Sequence, residues 1–160
     1  DYSGVTFSVC QLRPESRGYV RARDGDGRTR PAIQPNFLDA EIDRRTMVEG
    51  LKIGRRITAQ EAFARHVKRE ALPGPAVQSD EDLLAYIRET GATIYHPSGT
   101  CKMGQDPMAV VDERLRVRGI AGLRVADCSI MPTVISGNTN APAIMIGEKC
   151  AAMMKEDLAA

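Results

Sequence analysis

Hydrophobic and polar positions along the chain change period several times, and each change marks a predicted element. From Val5 to Arg23 the pattern alternates, with Val5, Phe7 and Val9 on one face of a strand. A second short alternating run, Tyr19 to Arg23, follows Gly18 and stops at Asp24-Gly25-Asp26-Gly27, a turn signal. Pro31 to Asn36 reads as extended. A helix follows, capped by Asp39 or Asp43, with Met47, Val48, Leu51 and Ile57 as its apolar stripe. Its other face carries Arg44, Arg45, Lys52, Arg55 and Arg56, which reads as a solvated face. Gln60 to Lys68 continues as a short helix, and Leu72-Pro73-Gly74-Pro75 breaks it.

Ser79-Asp80-Glu81-Asp82 has the pattern of a capping box. It opens a helix that buries Leu83, Leu84 and Ile87 and closes at Gly91. Ala92 to Tyr95 suits a strand, Arg114 to Arg118 alternates, and Leu123 to Ala126 reads as a short buried strand after the turn at 119–122. A last helix runs from about Asn140 to Met154, with Ile144, Cys150 and Met153 or Met154 on its buried side. Strands mixed with helices in this order predict an α+β fold. No internal repeat interrupts it.

Composition narrows the function. With 22 basic and 21 acidic residues in 160, the chain offers no electrostatic reason to bind nucleic acid or an anionic membrane. Apolar residues make up 42% and charged residues 27%, as in a globular domain with one core. No apolar run is long enough to span a bilayer, and the first residues lack the layout of a signal peptide. The chain starts without Met, in what reads as a strand, so a fragment or a processed chain is expected. The four cysteines, at 10, 101, 128 and 150, form no CxxC pair. No metal site is expected, and free thiols in a reducing cytoplasm are the simplest reading. The DGDG turn lacks the later ligands of a calcium loop.

Three places can carry chemistry. Of the two histidines, His66 sits among Arg65, Lys68 and Arg69 and reads as solvent-facing. His96 ends a predicted strand, and Pro97 holds it extended beside a Gly-containing turn. That setting suits an imidazole aimed into a pocket, although by spacing alone a core histidine is the commoner reading. Ser136-Gly137-Asn138-Thr139-Asn140-Ala141-Pro142 has the residues of a helix amino terminus, where free N–H groups favour negative charge. Asp127 follows the predicted strand 123–126, at a strand end where ligands commonly bind, or else simply forms a turn. Cys101, five residues after His96, can be read as a thiol nucleophile, but no group to orient the histidine is evident.

The segments YHPSGTCKMG, LRVADCSIMP and SGNTNAPAIMIGEKCA strongly resemble the carboxy-terminal signature of the glucose-methanol-choline (GMC) oxidoreductases. QLRPESRGYVRAR and IQPNFLDAEID resemble the same family, and its choline dehydrogenase-like alcohol dehydrogenases most. The resemblance implies an antiparallel sheet with helices on one face, the family's substrate domain, over residues 1–93. It implies an active-site segment and the carboxy-terminal strand and helix of the FAD-binding domain over 94–160. It makes His96 the catalytic base and Asn138 the second active-site residue. Ala126 and Asp127 then approach the ribityl and phosphate side of FAD, and Thr139, Asn140 and Ala141 the edge of its ring system.

One departure stands out. The dinucleotide fingerprint GxGxxG is absent, since Gly25-Asp26-Gly27-Arg28-Thr29-Arg30 has no third Gly and sits in a turn. The chain is therefore expected to need an amino-terminal FAD-binding half as partner, to be inactive without it, and to self-associate through the face left open. The resemblance implies a primary alcohol as substrate, with a proton going to His96 and a hydride to FAD. Choline is the alternative substrate. Its trimethylammonium group needs an aromatic or anionic cage, and the aromatic residues are only Phe7, Phe37, Phe63, Tyr2, Tyr19, Tyr86 and Tyr95. The electron acceptor is left open. A cytoplasmic location is expected, or a peripheral one at the inner membrane. Two other classes compete: a binding module without redox chemistry, and a Cys–His hydrolase.

Overall fold

The computed structural model describes residues 3–159. Tyr2, one of the seven aromatic residues, lies outside them. The fold is α+β, with a two-stranded antiparallel sheet and four helices. The strands are β1 (Tyr19–Arg21) and β2 (Ala32–Gln34), and the helices are α1 (Glu41–Thr58), α2 (Glu61–Ala64), α3 (Asp80–Thr90) and α4 (Asn140–Ala159). The chain divides into two compact units. One comprises the residues up to Gly18 together with Gln34–Ala92, and the other Tyr19–Ile33 together with the residues from Thr93 onward.

In the first unit, α1 and α3 pack on each other around Val48, Leu83 and Ile87, with Met47, Leu51 and Leu84 against them. Ile57, expected on this stripe, is 46% exposed. It lies in the last turn of α1, beyond the reach of that cluster. Ser79 caps α3, while the side chain of Asp82 accepts from Ser79 Oγ rather than from Ser79 N as in a full capping box. Ser79 Oγ accepts from Asp82 N at 3.1 Å, and Gly91 N donates to Ile87 O at 2.8 Å to close α3. A Cβ at Gly91 would meet Ile87 O at 2.5 Å, so this closure requires glycine. The basic face of α1 is solvated and partly paired. Lys52 bridges Glu49 and Asp80, and Arg55 pairs with Glu70.

Three expectations fail in this unit. Residues 5–9 form no strand. Their alternation serves contacts with helices instead: Val9 packs where a Cβ on Gly50 of α1 would stand, and the Phe7 ring meets Phe63 edge-on at 5.4 Å. The helix expected from Gln60 to Lys68 contracts to the four residues of α2. Neither Asp39 nor Asp43 caps α1, whose N-cap is Ala40. Asp43 lies inside the first turn, 3% exposed. Its carboxylate accepts from Glu15 N (2.9 Å), Ser16 N (2.8 Å), Ser16 Oγ (2.5 Å) and Gln11 Nε2 (3.4 Å). Ser16 Oγ in turn accepts from Ala40 N at 3.0 Å. One buried carboxylate thus fixes the loop 11–16 onto the start of α1.

The core of the second unit lies between irregular chain and one face of α4. Val111, Leu115, Ile130, Met131, Ile146 and Cys150 are buried together, with Met103, Val117 and Val125 packed against them. The strands expected at 114–118 and 123–126 survive only as single bridges, Val111 to Val117 and Arg116 to Arg124. Backbone bonds from Val117 N to Leu123 O (2.9 Å) and from Val125 N to Leu115 O (3.1 Å) link the two segments. The left-handed Leu115, at φ 64°, bends the first of them and ends the register. The alternating run at 19–23 does form a strand, paired across the Asp24–Gly27 loop.

α4 extends five residues beyond the expected Met154. Ile146 and Cys150 form its buried side, whereas Ile144, expected there, is 60% exposed, because it is out of phase with that pair by half a turn. Two arginines hold the last turns of α4. Arg114 donates to Met153 O (3.0 Å), Glu156 (3.1 Å) and Asp157 (2.6 Å), and Arg124 also pairs with Asp157. None of the helices described is long and apolar enough to cross a membrane.

Two outcomes test these contacts. Burial pushes the Asp43 carboxyl up, but the donors from Ser16, Glu15 and Gln11 outweigh it and hold its pKa below the ordinary value. The stabilisation is therefore complete above the ordinary carboxylate range of about 3.9 and is lost as pH falls through the lower native value. Asp43→Ala should cost about 2–3 kcal/mol at neutral pH, because it leaves buried donors unpaired. In denaturant melts the gap between variant and wild type should shrink below about pH 4. For the carboxy-terminal end, Arg114→Ala should speed amide exchange in the turn 153–157 and leave the turn around Ile146 protected.

Candidate functional site

The site is built on a backbone clasp. Cys101 N donates to Ser129 O at 2.9 Å and Met103 N to Ile130 O at 2.7 Å, so the segment after His96 lies along Cys128–Ile130. Those three residues form a 3₁₀ turn, which Asp127 opens by accepting from Ser129 N at 2.7 Å. Gly99 lies in the clasp at φ 85°, and a Cβ there would stand 3.3 Å from Met131 O. Glycine meets both demands.

His96 does not sit on a strand. Residues 92–94 have no ladder partner, and Tyr95 turns left-handed at φ 63°. Non-glycine residues rarely adopt that conformation, and where they do it commonly flanks a functional site. Pro97 restricts His96 from the other side. The imidazole is thus aimed by a left-handed residue before it and a proline after it.

Both ring nitrogens meet residues at the start of α4. His96 Nε2 lies 3.1 Å from Asn138 Oδ1, and Nδ1 lies 2.9 Å from Thr139 Oγ1. Thr139 is buried, at 8% exposed, while Asn138 is exposed and His96 half-buried. Thr139 O accepts from Ala143 N at 2.9 Å, the first turn of α4, and from Cys128 Sγ at 3.7 Å. Cys128 therefore links the clasp to the helix start.

A cleft of about 350 Å³, within the range of small-molecule sites, reaches Pro97 and Thr139, the neighbours of the ring, while His96 and Asn138 themselves are not among its lining residues. Pro97, Ser98, Thr100, Asp127, Cys128, Ser129, Thr139 and Ala143 line it. Asp127 is the one carboxylate in that lining, and none of the eight residues is aromatic.

Of the expected site residues, the fold brings His96, Asn138 and Thr139 into one constellation and puts Asp127 in the cleft wall. Ala126, Asn140 and Ala141 are exposed and are not among the lining residues. Sequence reasoning missed Gly99, Cys128 and the contact of Thr139 with the ring. The left-handed need at Gly99 leaves a trace in the HPSGT string, but the partners of Cys128 and Thr139 lie 11 and 43 residues away along the chain. His66 is exposed and accepts from Arg65 Nε at 3.0 Å, as a solvent-facing residue.

Comparison with known proteins bears on the family of the chain. The carboxy-terminal sequence model of the GMC oxidoreductase family matches residues 14–147. An alcohol dehydrogenase [acceptor] from Pseudomonas putida is 49% identical over 158 residues, covering 98% of this chain. An oxygen-dependent choline dehydrogenase from Serratia proteamaculans is 46% identical over 96% of it. The chain spans 29% of the first relative's length and 28% of the second's. Among solved structures, a formate oxidase from Aspergillus oryzae, described for the modification of its FAD, superimposes with a TM-score of 0.85. It is 31% identical over 91% of this chain, which corresponds to 26% of the oxidase. With the ordered motifs, the fold and these matches in agreement, the chain belongs to the GMC oxidoreductases and corresponds to part of their carboxy-terminal domain.

Proposed function

We propose that this chain carries the proton-handling half of a flavin-dependent active site that oxidises a primary alcohol to an aldehyde. The observation that carries the reading is the His96 ring held at both nitrogens by Asn138 and Thr139, next to an open cleft. Residues 1–93 then belong to the substrate domain. Residues 94–160 supply the active-site segment and the end of the FAD-binding domain.

The residues present fit FAD on one side of the site. α4 begins at Asn140, and its free N–H groups and dipole favour negative charge such as develops on a reduced flavin. Ala141 and Ala143 are small enough to let a planar ring approach the backbone. Asp127, at the mouth of the 3₁₀ turn, and Ala126 before it suit the ribityl side. When bound, FAD supplies the hydride acceptor. The phosphate-cradling glycine fingerprint is not among these 160 residues, and the string 25–30 lies in an exposed loop.

Within this frame the chain's own residues divide the work. His96 takes the hydroxyl proton, as suits the side chain that ordinarily titrates nearest neutrality. Asn138 does not ionise at neutral pH. Its amide hydrogen-bonds the alcohol oxygen and fixes the carbon in place. The small, mainly uncharged cleft suits a neutral alcohol. Choline oxidation is the alternative, favoured by the 46% identity to a choline dehydrogenase. In that case the cage for its cation lies outside the lining described above.

Two measurements test the reading. In the complete flavoprotein, His96→Ala should slow substrate reduction of the flavin by about 10²–10⁴-fold. A loss of only a few-fold would remove His96 from the role of base. The 160-residue chain alone should emerge colourless from gel filtration after incubation with FAD. A yellow protein peak would mean that the residues named above suffice to hold the cofactor.

A further inference from the structure

The two partners of His96 are not equivalent. Nε2 faces Asn138, which is exposed, whereas Nδ1 faces Thr139, which is buried. A ring nitrogen and an amide oxygen 3.1 Å apart need a proton between them, because neither attracts the other as a bare lone pair. Two proton arrangements satisfy this spacing. In one, the Thr139 hydroxyl donates to Nδ1 and the neutral ring carries its proton on Nε2. That ring has no lone pair on its exposed side and accepts nothing from an alcohol. In the other, Nδ1–H donates to Thr139 Oγ1, and Nε2–H appears only after the ring has taken a second proton. In the neutral ring the Asn138 amide then presents its NH₂ to Nε2 or to substrate, a half-rotation that exchanges atoms of nearly equal shape.

We propose that Thr139 is a positioning residue whose Oγ1 accepts the Nδ1–H of His96, which leaves Nε2 as the only atom that can receive the alcohol proton. The balance is simple. The O–H bond of the alcohol breaks, an N–H bond forms at Nε2, and the ring becomes a cation that donates to Thr139 Oγ1 and Asn138 Oδ1. Both are acceptors within hydrogen-bond distance: Thr139 Oγ1 already holds Nδ1–H, and the Asn138 amide turns its oxygen to Nε2 as the charge forms. Nδ1 keeps its proton throughout. Burial of Thr139 keeps water from exchanging for the hydroxyl. The position of the group follows from the fold, since the same residue starts the first turn of α4 through its carbonyl and is bonded there by Cys128. A threonine ahead of a helix is ordinarily expected to cap it, so sequence alone directs attention to the wrong partner.

This inference rests on the reading of His96 as the base, and its test separates the two. Imidazole ¹⁵N shifts of the intact protein, recorded near pH 8 and so above the ordinary histidine range of about 6.5, report which nitrogen of each histidine carries the proton. Exposed His66 serves as a reference, and the His96 signals are assigned by their loss in a His96→Gln variant. Wild type and Thr139→Ser should both show His96 protonated at Nδ1. Thr139→Val, which keeps the shape and removes the hydroxyl, should shift His96 to the Nε2–H form. It should also slow flavin reduction about tenfold or more with little change in KM, while Thr139→Ser stays within a few-fold of wild type. Wild-type His96 protonated at Nε2, or a Thr139→Val spectrum like wild type, overturns the proposal whatever the activity. The expected tautomers together with a fully active His96→Ala would instead overturn the role of His96 and leave the Thr139 contact standing.

Discussion

Residues 99–103 and 128–130 are joined by backbone hydrogen bonds, and the geometry of the site depends on that pairing. One strand of the pair leads back through Pro97 to the imidazole. The other leads through Cys128 to the carbonyl of Thr139 and so to the start of α4. Neither segment is a regular strand, yet both are anchored in one core, through Met103 on one side and Ile130 and Met131 on the other. The ring and its two partners come from positions more than 40 residues apart, and this short clasp brings their separation down to hydrogen-bond distance.

Legibility in the sequence followed the range of the forces involved. α1, α3 and α4 were readable because a helix states its buried face within its own period, and because Ser79 and Gly91 are local stops. Strands were harder. Alternation at 5–9, 114–118 and 123–126 is genuine, but a strand exists only with a neighbour in register. Here Val9 and Phe7 find helix partners, and the other two segments meet in a single bridge, Arg116 to Arg124. Tyr95 shows the same limit from the backbone side. Nothing in a tyrosine's composition announces φ 63°, and that angle is what removes His96 from the expected strand.

The candidate site was legible at its centre and illegible at its support. His96 and Asn138 stood out through the resemblance of whole segments to a family. Thr139 was noticed for its helix-starting character, and its contact with the ring is a tertiary fact. Asp43 is a parallel case in the other unit. As an acidic residue before a helical stripe it looked like a cap. Its partners lie instead in a loop some 27 residues upstream, where Glu15 N, Ser16 N and Ser16 Oγ need an acceptor that the helix start can bury. In both places a residue type chosen by local rules is used for a long-range contact.

Ala143 lies one helical turn after Thr139, so it shares the face that lines the cleft while taking no side-chain part in holding the ring. Pro97 and Thr139 both aim the imidazole and line the chamber, whereas Ala143 only lines it. A larger side chain at 143 narrows the space offered to a substrate and leaves the clasp, the left-handed Tyr95 and the two ring partners untouched. Under the proposed function, position 143 would govern how much room ring and substrate share, while the residues that hold the imidazole stay as they are.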